Sequence, residues 1–148
     1  MSASSVGGEG VRGDGASGGN VDVNVVEGVH GMQPGSVVHA RGASLSHKPV
    51  EGWQQVSGEP TTAALELGAF AGAEFGLWEM SAGAMLDVEA DEVFLVISGT
   101  ATVEFLEPEL PSIDLEPGSI VRLGEGMRTR WTVTGAPLRK LYLVEGGS

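Results

Sequence analysis

Glu92 is the residue whose position most needs explaining. It stands in the run Asp91-Glu92-Val93-Phe94-Leu95-Val96-Ile97-Ser98-Gly99, whose β-branched and aromatic side chains predict a strand. Side chains alternate along a strand, so Glu92 shares a face with Phe94 and Val96 while Val93, Leu95 and Ile97 take the other. A strand that is apolar on both faces belongs at the centre of a sandwich or barrel. An acid on such a strand is a candidate general acid or base, because burial disfavours the ionised carboxyl and moves its proton affinity toward neutral pH. Just upstream, Asp87, Glu89 and Asp91 alternate and could together face a hard cation such as Ca²⁺, but a solvated strand end is the better reading. His30, His39 and His47 all precede the strand-rich half and read as solvated side chains. With no cysteine there is no disulfide, no thiolate ligand and no cysteine nucleophile.

The elements that must position Glu92 are short, extended and closely punctuated. The run after Gly99, Thr100 to Phe105, is again β-branched, and the two runs predict a β-hairpin with its turn at Ser98-Gly99. Thr62 to Leu67 suits a short strand or a helical turn. Phe75 to Ser81 predicts a strand with Trp78 and Met80 on one face and Leu77 and Glu79 on the other, and Met85 to Val88 continues extended. Leu106 to Pro111, with two prolines, predicts a connecting loop outside any sheet. Glu116-Pro117-Gly118-Ser119 predicts a type II turn, with glycine at the position that needs positive φ. Strands over Ser112 to Leu115, Ile120 to Leu123, Arg128 to Thr134 and Leu138 to Val144 complete an all-β domain, a sandwich or barrel.

Three regions follow from composition. Residues 1–20 are rich in glycine and serine, have almost nothing to bury and read as a disordered tail. Residues 21–60 form an irregular arm, with a short strand within Val21 to Val26 and with Trp53 as the anchor that packs the arm onto the domain. Residues 61–148 are the β-domain. A formal net charge of -12 opposes binding to nucleic acid or to an anionic membrane surface. Arg122, Arg128, Arg130, Arg139 and Lys140 have strand spacing and read as a solvated face. No apolar run approaches the ~20 residues of a spanning helix and no secretory signal opens the chain, so a cytoplasmic protein is expected.

Four pieces in order, Gly76-Leu77-Trp78-Glu79, Asp91-Glu92-Val93-Phe94 with Gly99, Glu116-Pro117-Gly118-Ser119 and Arg130-Trp131-Thr132-Val133, resemble the cupin superfamily. The nearest likeness is to its small single-domain branch, related to ureidoglycine aminohydrolases and the ethanolamine-utilisation cupin. The resemblance covers residues 62–145 and implies a jelly-roll β-barrel, a pocket inside it and a homodimer. Cupins in general hold a divalent metal with three histidines and a glutamate. Here Glu92 matches the glutamate, but the histidine positions fall on Leu86 and Val88, or on Met85 and Asp87 under a longer spacing, and on Thr129. Imidazole suits borderline transition metals and these side chains do not replace it, so no metal and no other cofactor is expected. By the same resemblance Trp78, Phe94, Thr129 and Trp131 line a small-molecule pocket around Glu92; in the alternative reading Glu92 is a structural remnant that accepts a hydrogen bond from Thr129 or the Trp131 indole. Two functions remain open: a metal-free small-molecule-binding or accessory barrel, or an enzyme. The enzyme would use Glu92 as general acid/base in an epimerase- or isomerase-like reaction, or perform an aminohydrolase-like step on a small nitrogenous metabolite.

Overall fold

The computed structural model describes residues 21–22 and 31–146; the tail over 1–20 and His30 lie outside the described residues. The strands are β1 (Val21–Asp22), β2 (Val37–Val38), β3 (Lys48–Pro49), β4 (Gln55–Gly58), β5 (Thr61–Phe70), β6 (Ala73–Met80), β7 (Gly83–Val88), β8 (Glu92–Glu107), β9 (Glu109–Leu115), β10 (Ile120–Leu123) and β11 (Arg128–Glu145). A single 3₁₀ turn (Gly52–Gln54) is the one helical segment among the described residues. The sheet runs β3-β5-β6-β11-β8-β10, with β7 also on β11, β4 on β7 and β9 on β8. All of these pairings are antiparallel. It curls into an all-β, cupin-like barrel.

Closure depends on β8 and β11, which serve both layers. The second half of β11 lies between β6 and the first half of β8, whereas its first half lies between β7 and the second half of β8. The expected hairpin at Ser98-Gly99 is therefore a corner inside one continuous strand. Gly99 has φ +86 and faces the Pro137–Leu138 backbone, where β11 turns its own corner through register shifts between Val133 and Arg139. Apolar sequence on both sides of a glycine suits either geometry; the close partner strand selects the bend. The loop expected over Leu106 to Pro111 is likewise strand apart from Pro108. Phe105 pairs with Leu110 and Leu106 with Glu109. Pro111 is tolerated there because β9 is an edge strand. Glu116 to Ser119 forms the expected turn, with Ser119 N donating to Glu116 O at 2.9 Å and Gly118 at φ +98.

Inside the barrel Trp78, Met80, Met85, Phe94, Val96, Val103, Leu123, Trp131, Leu138 and Tyr142 pack as one core. A second apolar layer lies outside it. There Leu65, Leu67, Leu77, Ile97 and Leu141 meet Met32, Val38, Ala40, Ala43 and Leu45. Trp78 and Leu77 thus fall in different layers, as alternation requires, yet both are buried. The arm is docked by this apolar layer and by strand pairing of β3 with β5 and β4 with β7. Trp53 is 55% exposed, so it does not anchor the arm. Its neighbour Gln54 turns inward instead.

Gly118 has open space around the place of a Cβ, whereas a Cβ on Gly99 would overlap the Pro137 carbonyl oxygen and approach Leu138 Cα to 2.7 Å. Gly118→Ala is expected to cost about 1 kcal/mol, the left-handed penalty alone. Gly99→Ala adds a backbone collision and is expected to cost about 3 kcal/mol or more. Urea denaturation of both variants checks this; equal costs would mean that the corner relaxes freely.

Candidate functional site

The second half of β11 reads Leu138-Arg139-Lys140-Leu141-Tyr142-Leu143-Val144, and its inward face carries Leu138, Lys140, Tyr142 and Val144. One position on that face is a lysine, completely buried. Lys140 Nζ donates to Glu92 Oε2 at 2.7 Å. The ammonium also lies 4.0 Å from the ring centroid of Phe94, 4.8 Å from that of Trp78 and 5.0 Å from that of Trp131. Trp131 packs on Trp78 at 5.6 Å and on Phe94 at 5.7 Å, both tilted. Burial lowers the proton affinity of Lys140, and the Glu92 carboxylate opposes that shift.

Arg139, one residue earlier, points outward and is buried under the arm. Its guanidinium donates to Glu79 Oε2 at 3.1 and 3.3 Å and to the carbonyls of Ala40 at 2.7 Å and Arg41 at 3.2 Å. His47 Nε2 sits 2.8 Å from Glu79 Oε1 and its Nδ1 2.8 Å from Thr61 Oγ1. The solvated basic face expected from sequence is therefore confined to Arg122, Arg128 and Arg130, which meet Asp91, Glu107 and Glu104 on the surface. Arg139 and Lys140 depart from it because covered sheet lies on both sides of their strand.

Thr129 and Trp131 do not bond Glu92. The Thr129 hydroxyl donates to Glu89 Oε2 at 2.6 Å and the Trp131 indole N–H to the same oxygen at 3.0 Å. Glu89 and Asp87 are buried, at 3% and 2% exposure, rather than a solvated strand end; Asp91 alone of the three is at the surface, on Arg122. Burial raises the pKa of the Asp87 carboxyl, whose Oδ1 accepts from Val88 N at 2.9 Å. Tyr142 is held protonated by burial and by the nearby carboxyl groups of Glu66, Glu74 and Glu92. Glu92 Oε1 and the Tyr142 hydroxyl have no hydrogen-bond partner among the described residues.

Glu92, Trp78, Phe94, Thr129 and Trp131 thus share one interior, around a lysine that sequence reasoning had assigned to the surface. The signal that finds Lys140 is its phase: it alternates with Leu138, Tyr142 and Val144. The inward histidine-equivalent positions are Met85 and Asp87, since Val88 is exposed. Met85, Asp87, Glu92 and Thr129 offer no imidazole, and Glu92 is engaged by an ammonium. Among the described residues no three His, Asp or Glu are grouped to hold a metal ion. The residues present do not fit the divalent metal of the superfamily.

Barrel, corners and motif-bearing strands define a cupin-type protein. The EutQ-like cupin domain family matches residues 67–142, half of the chain, and the chain belongs to it. Among solved structures, the EutQ protein of Clostridium difficile superposes with a TM-score of 0.58 at 15% identity, over 88% of this chain and 97% of that one. A DUF861-family protein of unknown function from Pseudomonas syringae pv. tomato superposes with a TM-score of 0.53 at 22% identity, over 69% of this chain and 44% of that one. A protein of unknown function from Rhizobium leguminosarum reaches 0.51 at 17% identity, over 58% and 82%. At these identities the likeness is one of fold. No curated protein matches the chain.

Removing one member of a buried ion pair leaves a charge without compensation. Glu92→Gln and Lys140→Met are each expected to cost about 3 to 5 kcal/mol, and the double variant to lie within about 1 kcal/mol of the parent or above it. Denaturant unfolding of the cycle reads the coupling, and additive losses would mean that the two groups are not a pair.

Proposed function

We propose that this EutQ-like cupin chain is a metal-independent barrel that binds a small organic molecule bearing an amino or ureido group. The observation that carries the reading is the Glu92–Lys140 contact at 2.7 Å: the glutamate that a metal-binding cupin gives to its metal here serves an internal ammonium. Asp87, Glu89 and Glu92 outnumber that one interior ammonium, a balance that favours ligands rich in hydrogen-bond donors over anions. Trp78, Phe94, Thr129 and Trp131 supply apolar faces and a hydroxyl, the lining usual for a small-molecule site. An aminohydrolase reaction like that of the ureidoglycine branch is not favoured, since it works through a bound metal.

A second reading, an enzyme with Glu92 as general acid/base in an epimerase- or isomerase-like step, draws on the same contact. Lys140 holds its proton less tightly than a solvated lysine, and a donor and an acceptor 2.7 Å apart can exchange one. The acidic, cysteine-free composition suits a cytoplasmic protein with no nucleic-acid partner.

A homodimer belongs to the same proposal. On the outer face beyond the arm, Leu95 pairs with Ile120 and Val93 with Leu143. These four are 37–74% exposed and form an apolar patch that reaches onto the edge strand β10.

Elemental analysis of protein purified without added metal is expected to find no stoichiometric Zn, Mn, Fe or Ni, and EDTA to leave the thermal midpoint unchanged; stoichiometric metal would overturn the reading. Screening small amines and ureido compounds by thermal shift then tests the ligand class. Sedimentation at micromolar concentration is expected to give a dimer that Ile120→Glu converts to monomer, and a monomeric parent would refute the dimer.

A further inference from the structure

A primary ammonium is enclosed inside this barrel. Lys140 Nζ has the Glu92 carboxylate at 2.7 Å and the ring centroids of Phe94, Trp78 and Trp131 at 4.0, 4.8 and 5.0 Å. An aromatic face attracts a cation within about 6 Å through its quadrupole, and enclosure by several rings with one acid is how proteins recognise organic ammonium ligands. An ordinary core ion pair needs only the carboxylate. Here the rings arrive from three strands, β6, β8 and the first half of β11, and Trp131 packs on both other rings at 5.6 and 5.7 Å. The walls therefore support one another without the lysine chain. Aromatic faces give a divalent metal no lone pair, so three rings beside the Glu92 carboxylate suit an alkylammonium rather than the cation of the superfamily.

We propose that Trp78, Phe94, Trp131 and Glu92 form an organic-ammonium site whose resident ligand is the amino group of Lys140, seated where the motif glutamate would meet a metal. The chemical class the site takes is a primary alkylammonium. This goes beyond the binding function proposed above and stands whatever metabolite the barrel takes.

Lys140→Ala removes from the box the three carbons and amino group of n-propylammonium and leaves the walls in place. n-Propylammonium chloride is expected to raise the thermal midpoint of Lys140→Ala saturably and to change its tryptophan fluorescence. n-Propanol, of matching size and uncharged, is expected to do neither. Lys140→Met, whose box is filled, is expected not to respond. No saturable response in Lys140→Ala, an equal response to n-propanol, or an equal response in Lys140→Met would overturn the proposal. Should Lys140→Ala fail to fold, the parent decides the matter by proton NMR. Ring currents are expected to move the Lys140 ε-methylene upfield of the solvated lysine range, and an unshifted resonance would overturn the assignment. Elemental analysis reads the metal-free proposal separately, so failure of one is distinguishable from failure of the other.

Discussion

The interior of this barrel depends on one register, that of β11 against β6. Lys140 stands opposite Trp78 and Arg139 opposite Glu79. Two cations adjacent in sequence therefore leave the strand on opposite faces, and each meets the group made for it: rings and Glu92 within, Glu79 and the arm carbonyls without. A slip of one residue would exchange them, because the side-chain period of a strand is two. The ammonium would then face the arm and the guanidinium would enter the ring box. Each desolvated ion without its partner costs several kcal/mol, so the wrong register is penalised on both faces at once. Against an apolar pair of equal volume the Glu92–Lys140 bridge is expected to add little net stability, and discrimination between registers is the contribution hypothesised for it.

That register also places the site across a corner. Trp131 and Lys140 belong to the same strand but to different layers of the barrel, and they face each other only because β11 bends between Val133 and Arg139. β8 does the same at Gly99, which holds Phe94 on one side of the bend and Val103 on the other within one core. A glycine without a Cβ lets the two corners touch. The ring box is thus a consequence of barrel closure, assembled when β8 and β11 cross from one layer to the other.

Much of this was legible in sequence, and what was not has a physical cause. Alternation grouped Glu92, Phe94 and Val96 on one face and separated Trp78 from Leu77, because those assignments need only a period of two, and the cupin resemblance put the Glu92 face inside. Gly99 read as a hairpin turn because a tight turn and a strand corner ask the same thing of a glycine, and only the partner strand distinguishes them. Lys140 and Arg139 read as solvated because composition treats a cation as surface by default; their phase with Leu138 and Tyr142 held the contrary signal. Glu89 read as part of a solvated strand end for the same reason, and its two donors were offered to Glu92, the acid the resemblance put on an inner face. Trp53 shows the converse error, a large apolar side chain taken as an anchor when the arm is docked by Met32, Val38, Ala40, Ala43 and Leu45 and by strand pairing.

A tethered ammonium and a bound metal differ in what they permit. A divalent ion brings open coordination positions and polarises whatever oxygen it meets, and it leaves when its ligands are protonated. Lys140 brings a single charge on a fixed chain, and two of the neighbours of its Nζ, the Trp78 and Trp131 rings, are walls that offer no coordination. Its charge can orient a dipole or lend a proton, and it cannot be exchanged. Glu92 keeps one oxygen outside the bridge, so the pair still presents an acceptor toward the interior. Under the binding proposal, a site with those properties would select a molecule by hydrogen-bond pattern and shape rather than by coordination.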